Sequence, residues 1–430
     1  MTDLKILCTA DLHLGRASAC LETPAGVDTT AAGAWLRVAK RAVEEGAHAV
    51  VIAGDVFDGT GSYYETRAAF RAGLAVLERA GIPVVAVAGN HDYESLPRFA
   101  RQSAPANFHL LGAGGVWESL ELETSGGRFR LVGWSFPRER VPLGQFGSLA
   151  AGSSALPTVG ICHGDVGGKS NYHPILATDL ERGADAWVLG HVHAAREVSA
   201  KAHYPGSPQA LDFGPGERGA HGFKWLSLGA NRVRFSELVP VSTVRFEDLE
   251  LMVESQGAEE PWNAAYRTAE ERARHWRNEQ PGLESVQLRG ISAFSSCAAK
   301  LTVPGSHELS QDGSDAIWFT GYRVRPAVDP WDLVETPRAK GVMAKLLLGL
   351  RRDPLDIANP RWNPAWVGQA DELVERSAGD VISQFNRTLQ QISDEGDYGR
   401  PEPEPEQAMA MARRHLIGEL ESMLEEMERV

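Results

Sequence analysis

Five short polar motifs recur along the first half of the chain, and each directly follows a run of apolar residues. Nearly continuous apolar runs of this kind are typical of strands that are buried on both faces. Open α/β sheets bind ligands beyond the carboxyl ends of their strands, so motifs in these positions are expected to meet at one edge. The motifs are Asp11-Leu12-His13, Gly54-Asp55-Val56-Phe57-Asp58, Gly89-Asn90-His91-Asp92, Cys162-His163-Gly164 and Gly190-His191-Val192-His193.

The first motif predicts a pair of metal ligands. Asp11 and His13 follow the apolar run from Leu4 to Cys8 and lie two residues apart, so an extended backbone would present both on one side. A carboxylate and an imidazole placed in this way can bind one metal ion. Each motif alone also has an ordinary explanation as a turn or a core histidine, but five motifs after five strands favour a shared site.

The donor atoms of the motifs predict a site for two metal ions. Their Asp, Asn and His side chains are too many for one zinc ion and require no thiolate, which favours two octahedral ions such as manganese or iron. One carboxylate must then bridge the ions, and Asp55, after the central apolar strand, is the best candidate. Two ions about 3.5–4 Å apart can stabilise the attacking and leaving oxygens of phosphoryl transfer. The sequence therefore predicts a hydrolase of phosphate esters.

The periodicity of the first 240 residues predicts an α/β domain of layered sheets and helices. Helical spacing of apolar residues marks 30–45 and 62–80, and the second helix stops at Gly81-Ile82-Pro83. Further strands over 221–228 and 232–238 would complete the sheet. The strands predicted before them span 4–8, 49–53, 83–88, 129–133, 158–162 and 186–189.

The pattern of predicted strands and helices changes after residue 240. The sequence therefore predicts four segments: 1–240, 241–352, 353–370 and 371–430. The second is expected to be a small α+β domain with strands over 243–251, 285–289, 298–303 and 316–324 and helices over 261–279 and 338–350. The third is a linker rich in proline and tryptophan. The fourth is a pair of amphipathic helices joined by the acidic, proline-rich stretch 394–406; it packs on its own domain or docks on helices of another chain.

Charge and cysteine content limit the class of protein. Residues 1–240 carry 24 acidic and 22 basic side chains, whereas residues 241–430 carry 33 and 21, so a strongly basic surface for nucleic acid is missing as a bulk property. Four cysteines without paired spacing predict reduced thiols. The N-terminal sequence has no basic leader followed by an apolar run, and the sequence has no long apolar span. We therefore expect a cytoplasmic protein that does not enter membranes.

The five motifs resemble the signature of the calcineurin-like metallophosphoesterases. Three segments also resemble the bacterial SbcD-like DNA repair exonucleases: Ala10-Asp11-Leu12-His13-Leu14-Gly15, Gly54-Asp55-Val56-Phe57-Asp58 and Tyr204-Pro205-Gly206-Ser207. This resemblance implies a metallophosphoesterase fold of two sheets flanked by helices, followed by a capping domain at 241–352 and partner-binding helices at 371–430. It also implies two metal ions, with manganese expected and iron or magnesium as alternatives.

The same resemblance implies roles for individual residues. It places His91 beside the scissile phosphate as the acid for the leaving oxygen, with Asp92 orienting it. Asp58 stands where some relatives have a histidine, so a role of that histidine in strand handling does not carry over. The first metal would be bound by Asp11, His13, Asp55 and His193, and the second by Asp55, Asn90, His163 and His191.

The leading hypothesis is thus a two-metal DNA exonuclease, with endonuclease activity as a possible addition, working with a coiled-coil SbcC-like ATPase. The resemblance also implies a homodimer formed through the helices over 62–80 and 95–101. The alternatives are a phosphatase or cyclic-nucleotide phosphodiesterase and, last, a non-catalytic scaffold. The loop over 164–174 is either a plain surface connection or a contact for substrate. His203 either supports the metal ligands from behind or is a turn neighbour, and the second interpretation is favoured.

Overall fold

The computed structural model describes residues 3–19, 26–58, 63–149, 155–167, 170–214, 216–229, 232–252, 261–294, 307–308 and 316–326. Its helices are α1 (Ala31–Glu44), α2 (Tyr63–Arg79), α3 (Ser95–Gln102) and α4 (Pro261–Glu279). Its strands are β1 (Leu4–Thr9), β2 (Ala49–Ala53), β3 (Val84–Val87), β4 (Phe108–Leu110), β5 (Glu118–Thr124), β6 (Gly127–Trp134), β7 (Thr158–His163), β8 (Asp165–Val166), β9 (Pro174–Ile175), β10 (Ala186–Gly190), β11 (Arg196–Ser199), β12 (Ala202–Tyr204), β13 (Gly222–Gly229), β14 (Arg232–Phe235), β15 (Val239–Pro240), β16 (Val244–Met252), β17 (Ser285–Phe294), β18 (His307–Glu308) and β19 (Ala316–Pro326).

The first sheet has the strand order β14-β13-β1-β2-β3-β4, with β15 paired to β13. Strands β1 to β4 run parallel, whereas β13 pairs with β1 in the antiparallel sense. Parallel neighbours need crossover connections, and α1 and α2 provide them between β1, β2 and β3. All five residues of β2 are buried, as its unbroken apolar run predicts.

The second sheet has the order β11-β12-β10-β7-β6-β5. Its central strands β6, β7 and β10 are parallel, and β5 pairs with β6 in the antiparallel sense. The core between the two sheets is built from apolar side chains that face each other across them, among them Ile6, Val51 and Val85 from the first sheet and Leu131, Ile161 and Val188 from the second. Burying such side chains contributes about 1.5–3 kcal/mol each.

The helices cover the outer face of the first sheet. Thr30 caps α1, because its hydroxyl accepts a hydrogen bond from the Gly33 N–H at 3.0 Å. Trp35 of α1 is fully buried and donates from Nε1 to the Phe70 carbonyl of α2 at 3.1 Å. These contacts form a core of helix and sheet residues that is separate from the core between the sheets. The predicted fold class, α/β with two sheets flanked by helices, is confirmed.

The predicted elements of the first domain are present within a residue or two at most ends. The prediction did not include the short strands β4, β8, β9, β11, β12 and β15. It also did not include β5, whose sequence alternates charged and apolar residues because one face is exposed at the sheet edge. Of the four cysteines, Cys8 and Cys162 lie in the described residues, and both are free and buried. No helix in the described part of the chain has the length and apolar character needed to cross a membrane.

The chain after residue 240 begins as predicted. Strand β16, helix α4, strand β17 and strand β19 lie where the periodicity placed them, and the sheet order is β16-β17-β19-β18. The described residues of 1–249, 264–290 and 304–322 form one compact unit. Within it, Gln280 donates from its side-chain amide to the Ser242 carbonyl at 2.6 Å. The predicted strand 298–303, helix 338–350, linker 353–370 and paired helices 371–430 lie outside the described residues, and the division into domains stays a prediction.

Candidate metal centre

The five motifs meet at one edge of the paired sheets. Asp11, Asp55 and Asn90 follow β1, β2 and β3 of the first sheet, whereas His163 ends β7 and His191 follows β10 of the second. Their side chains form groups whose potential ligand atoms lie within 4.8 Å of one another. These groups are Asp11 with His13 and His193, Asp11 with Asp55 and His163, and His13 with Asp58 and His91.

One half of the centre is formed by Asp11, His13 and His193. The Nε2 atoms of His13 and His193 lie 3.1 Å apart, so both rings direct a nitrogen to the same point. The Nδ1 atom of His193 is hydrogen-bonded to the Glu217 carboxylate. Two imidazole nitrogens that converge beside a buried carboxylate are a donor set that fits a divalent transition metal.

The other half is formed around His163. Its Nε2 lies 3.0 Å from Asn90 Oδ1 and 3.3 Å from Asp55 Oδ2, and its Nδ1 lies 3.0 Å from the Ala53 carbonyl oxygen. Asp55 Oδ2 also lies 4.0 Å from His13 Nε2 in the first half. Asp55 therefore lies between the two histidine groups, where a bridging carboxylate would have to be.

Asp11 and His191 are placed differently from the other predicted ligands. Asp11 Oδ1 lies 3.7 Å from His163 Nδ1, so Asp11 contacts both halves of the centre and not only the first. Both of its oxygens also accept from the His191 backbone N–H, at 3.0 and 3.2 Å. The His191 ring lies 5.3 Å from the His163 ring, centroid to centroid, and its nitrogens are not part of the groups above.

The backbone at the site differs from the expectation. Asp11 and His13 do not continue an extended strand, because β1 ends at Thr9 and both residues have positive φ, 51° and 46°. Asp55 and His191 also have positive φ, which costs about 1–3 kcal/mol at a non-glycine residue. The loop is held by hydrogen bonds from the Asp11 and His13 N–H groups to the Gly54 and Asp55 carbonyls, each 3.0 Å. The site is thus built from strained loops that support each other.

Two glycines make room for His163. A Cβ on Gly54, whose φ is +93°, would lie 2.4 Å from His163 Nδ1. A Cβ on Gly190 would lie 2.7 Å from the same nitrogen and 1.7 Å from the Ala53 carbonyl oxygen. The glycines that precede Asp55 and His191 in the motifs are therefore required by the close approach of a buried imidazole to the first sheet.

The electrostatics of the cluster indicate a site for a cation. Burial raises the pKa of Asp11. Burial would raise the pKa of Asp55 as well, but His163, His91 and His13 together outweigh it and hold that pKa well below its usual value. Burial disfavours a charged imidazole, yet Asp55 beside His163 and Glu217 beside His193 raise the pKa of both histidines to about 9. The carboxylates thus draw positive charge onto the histidines, and a divalent ion would supply that charge directly.

His91 is the half-exposed member of the cluster, with 47% of its side chain accessible. Its Nδ1 lies 3.4 Å from Asp58 Oδ1, and this hydrogen bond raises the pKa of His91. Asp58 also lies 3.5 Å from His13 Nδ1; burial would raise the pKa of Asp58, but the two histidines hold it below its usual value. His91 is thus held by a carboxylate and open to solvent.

The carboxylate beside His91 is Asp58 and not Asp92, which corrects the expected role of Asp92. Asp92 is fully buried, and its oxygens accept from the backbone N–H groups of Gly89 and Val56, both at 2.7 Å. Burial and the nearby charge of Asp55 raise the pKa of Asp92 to about 7. Asp92 therefore ties the second and third motifs together, because it bonds to the backbone of both loops.

Two residues near the centre were missed or left open by sequence reasoning. Glu217 was missed, because it belongs to none of the five motifs and its own stretch of sequence gives no sign of the contact with His193. Tyr172, in the loop that was left open, packs its ring 5.2 Å from the His191 ring. His203 lies away from the centre, 3.3 Å from Lys224 Nζ and stacked on Phe235.

The segment 136–141 borders the centre together with Tyr172. The Phe136 ring lies 5.5 Å from the His163 ring, and the Val141 N–H donates to the Asn171 carbonyl at 2.7 Å. Arg138 and Arg140 lie between these two anchors and are exposed. This segment thus places the buried Phe136 ring beside His163, whereas the exposed Arg138 and Arg140 flank Glu139, whose Oε1 lies 3.8 Å from Arg140 Nε.

Part of the chain is similar to a known protein family and to a curated bacterial protein. Residues 4–195 match the calcineurin-like phosphoesterase family. The uncharacterized metallophosphoesterase YhaO of Bacillus subtilis (strain 168) is 27% identical over 223 residues, which are 49% of this chain and 54% of that protein. The chain thus matches about half the length of this curated relative.

Solved structures resemble the chain only in part. A 5'-nucleotidase precursor from Thermus thermophilus is 18% identical with a TM-score of 0.36, over 55% of this chain and 54% of that chain. A dimetal phosphatase from Danio rerio is 12% identical with a TM-score of 0.32, over 55% of this chain and 99% of that chain. Likenesses at this level add no argument about function.

Proposed function

Since residues 4–195 match the calcineurin-like phosphoesterase family and bring together three groups of candidate metal ligands, we propose that this protein is a two-metal DNA phosphodiesterase of the SbcD-like branch. The family match supports metal-dependent phosphoesterase activity, and the DNA substrate is the further step that we propose. The observation that carries the finer proposal is the contact of His91 with Asp58 beside the candidate metal ligands, together with the Tyr172 ring next to His191. When bound, the metal ions supply water activation and charge neutralisation for phosphoryl transfer.

We assign metal binding, proton donation and positioning to different residues of the chain. The buried Asp, Asn and His side chains would hold two divalent ions, with Asp55 between them, and we propose manganese as the native metal. His91, with Asp58 on Nδ1, keeps its other ring nitrogen available to donate a proton to the leaving oxygen. Its raised pKa favours the charged imidazolium that a general acid requires. Asp58 acts through His91 and is a positioning residue.

The border of the centre supports a nucleic acid as substrate. Arg138 and Arg140 are exposed in the segment 136–141, which is hydrogen-bonded to the loop of Tyr172, and we propose that they contact phosphates next to the scissile one, which a small phosphate ester lacks. Tyr172 offers an aromatic ring beside His191 on which a base could stack.

Degradation of linear duplex DNA by the purified chain with manganese tests this proposal. We expect loss of DNA from its ends, stronger in the presence of a coiled-coil ATPase partner, together with hydrolysis of bis-p-nitrophenyl phosphate. If the small ester is hydrolysed while DNA stays intact with and without the partner, the DNA proposal is wrong and a phosphatase or cyclic-nucleotide phosphodiesterase is favoured. A protein inactive on both substrates at saturating metal would favour a scaffold.

Partners belong to the same proposal. We place the SbcC-like ATPase on the paired helices at 371–430 and a homodimer contact on α2 and α3. The exposed face of α2 carries Tyr64, 78% accessible, together with exposed Ala68, Ala72 and Ala75. Sedimentation of the full chain and of a chain ending at residue 370, each with and without the ATPase, tests both contacts.

A further inference from the structure

Glu217 lies directly behind one of the candidate metal ligands. His193 directs Nε2 toward His13 Nε2, 3.1 Å away, and its other ring nitrogen, Nδ1, is hydrogen-bonded to Glu217 Oε1. Only 5% of Glu217 is accessible to solvent. A buried carboxylate on the far side of a ligand imidazole fixes which nitrogen carries the proton, so the lone pair of Nε2 is directed to the metal.

Glu217 is itself fixed in place. Its second carboxylate oxygen, Oε2, accepts from the Leu211 N–H at 2.9 Å, and its backbone N–H donates to the Gly214 carbonyl at 3.2 Å. The backbone of His193 is fixed as well, because its carbonyl oxygen accepts from the Ser207 N–H at 2.9 Å. Both members of the pair are therefore preorganised, and the imidazole has little freedom to turn.

The two halves of the centre differ in this respect. The Nδ1 atom of His163, in the half with Asn90, has the neutral carbonyl of Ala53 as its hydrogen-bond partner at 3.0 Å, and the carboxylate of Asp11, itself a candidate ligand, lies farther away at 3.7 Å. The Nδ1 atom of His193 faces a carboxylate that is dedicated to it. A carboxylate partner makes an imidazole a stronger donor to a metal than a carbonyl partner does.

We propose that Glu217 is a positioning residue that orients His193 toward the metal ion that Asp11 and His13 would also bind. We further propose that this half of the centre binds its metal ion with the higher affinity because of Glu217. The inference rests on the two-metal centre proposed above. It is independent of the substrate, because metal binding is measured without any substrate.

The proposal is tested by titrating the full-length chain with manganese and measuring binding by calorimetry and by the electron paramagnetic resonance signal of free Mn²⁺. The wild type is expected to bind two ions with unequal affinities. Glu217→Ala should weaken the tighter ion about 10–100-fold and leave the other unchanged. Glu217→Gln, which is nearly isosteric and retains an acceptor oxygen for Nδ1, should show a smaller loss. Glu197→Gln, which removes an exposed carboxylate on β11, is the matched control and should bind as the wild type does.

A double-mutant comparison locates the effect. If Glu217 acts through His193, adding Glu217→Ala to His193→Ala should weaken binding no further. Equal weakening of both ions, wild-type affinities in both Glu217 variants, or a double variant worse than His193→Ala would each overturn the proposal. A purely structural role would instead lower the unfolding temperature in chelator without separating the two affinities. A wild type that binds no manganese would overturn the two-metal centre itself, which is a different failure.

Discussion

His91 Nδ1 lies 3.4 Å from Asp58 Oδ1, although the two residues belong to different motifs and follow different strands. The contact brings the third motif against the second, and it leaves the other face of the His91 ring toward solvent. A histidine held in this way is prepared to give a proton to a substrate that arrives from outside. The same carboxylate lies 3.5 Å from His13 Nδ1, so Asp58 links the proton donor to the metal ligands.

Replacing His91 with glutamine should lower kcat on DNA by about 10²–10⁴, the usual contribution of a general acid. The stoichiometry of bound manganese should stay the same, because His91 is half-exposed and Asp55 and His163 remain. The loss should be much smaller with bis-p-nitrophenyl phosphate, whose leaving group needs no proton. Steady-state kinetics on both substrates measure the difference, and an equal loss on both would contradict the role of acid.

Replacing Asp58 with asparagine should move the alkaline limb of the pH–kcat profile to lower pH. A general acid must be protonated, so the rate falls as the pH rises through the pKa of His91. The hydrogen bond from Asp58 raises that pKa, and its carboxylate charge is lost in the variant. Glu123→Gln, which removes an exposed carboxylate on β5, serves as the control. A profile unchanged from the wild type would show that Asp58 does not act through His91.

Replacing Gly54 with alanine should destabilise the fold more than the same change at Gly81. Both glycines have positive φ, +93° and +69°, which costs an alanine about 1–2 kcal/mol. At Gly81 nothing lies within 4 Å of an added Cβ, whereas at Gly54 the Cβ would meet His163 Nδ1 at 2.4 Å. The overlap should add about 1–3 kcal/mol. Urea unfolding in chelator measures the difference, and equal losses would mean that His163 gives way without cost.

Replacing His203 with glutamine should make stability less dependent on pH between about 4 and 6.5. Burial first, and then the charge of Lys224, lower the pKa of His203 to about 4, below its value in the unfolded chain. As the pH falls through this window the unfolded chain gains a proton that the folded chain does not, so the wild type loses stability. The slope should decrease by at most about one proton. Unfolding measured at several pH values in chelator tests this, with His275→Gln, at an exposed position on α4, as the control.

The elements of the first domain could be predicted because their signals are local. An unbroken apolar run such as β2 reports burial on both faces, and helical spacing reports one buried face, as in α1. The candidate ligands could be predicted for a similar reason, since a polar motif after a buried strand has a defined position at the sheet edge. Strand β5 escaped prediction because its exposed face breaks the apolar run.

The sequence by itself determined the α/β class and which motifs would meet. Only the tertiary structure decided how they meet: that Asp58 and not Asp92 holds His91, that Glu217 holds His193, and that Asp11 leaves the extended conformation. These relationships join segments that are distant along the chain. Their geometry depends on how the two sheets and their loops pack, and no local pattern of residues carries that information.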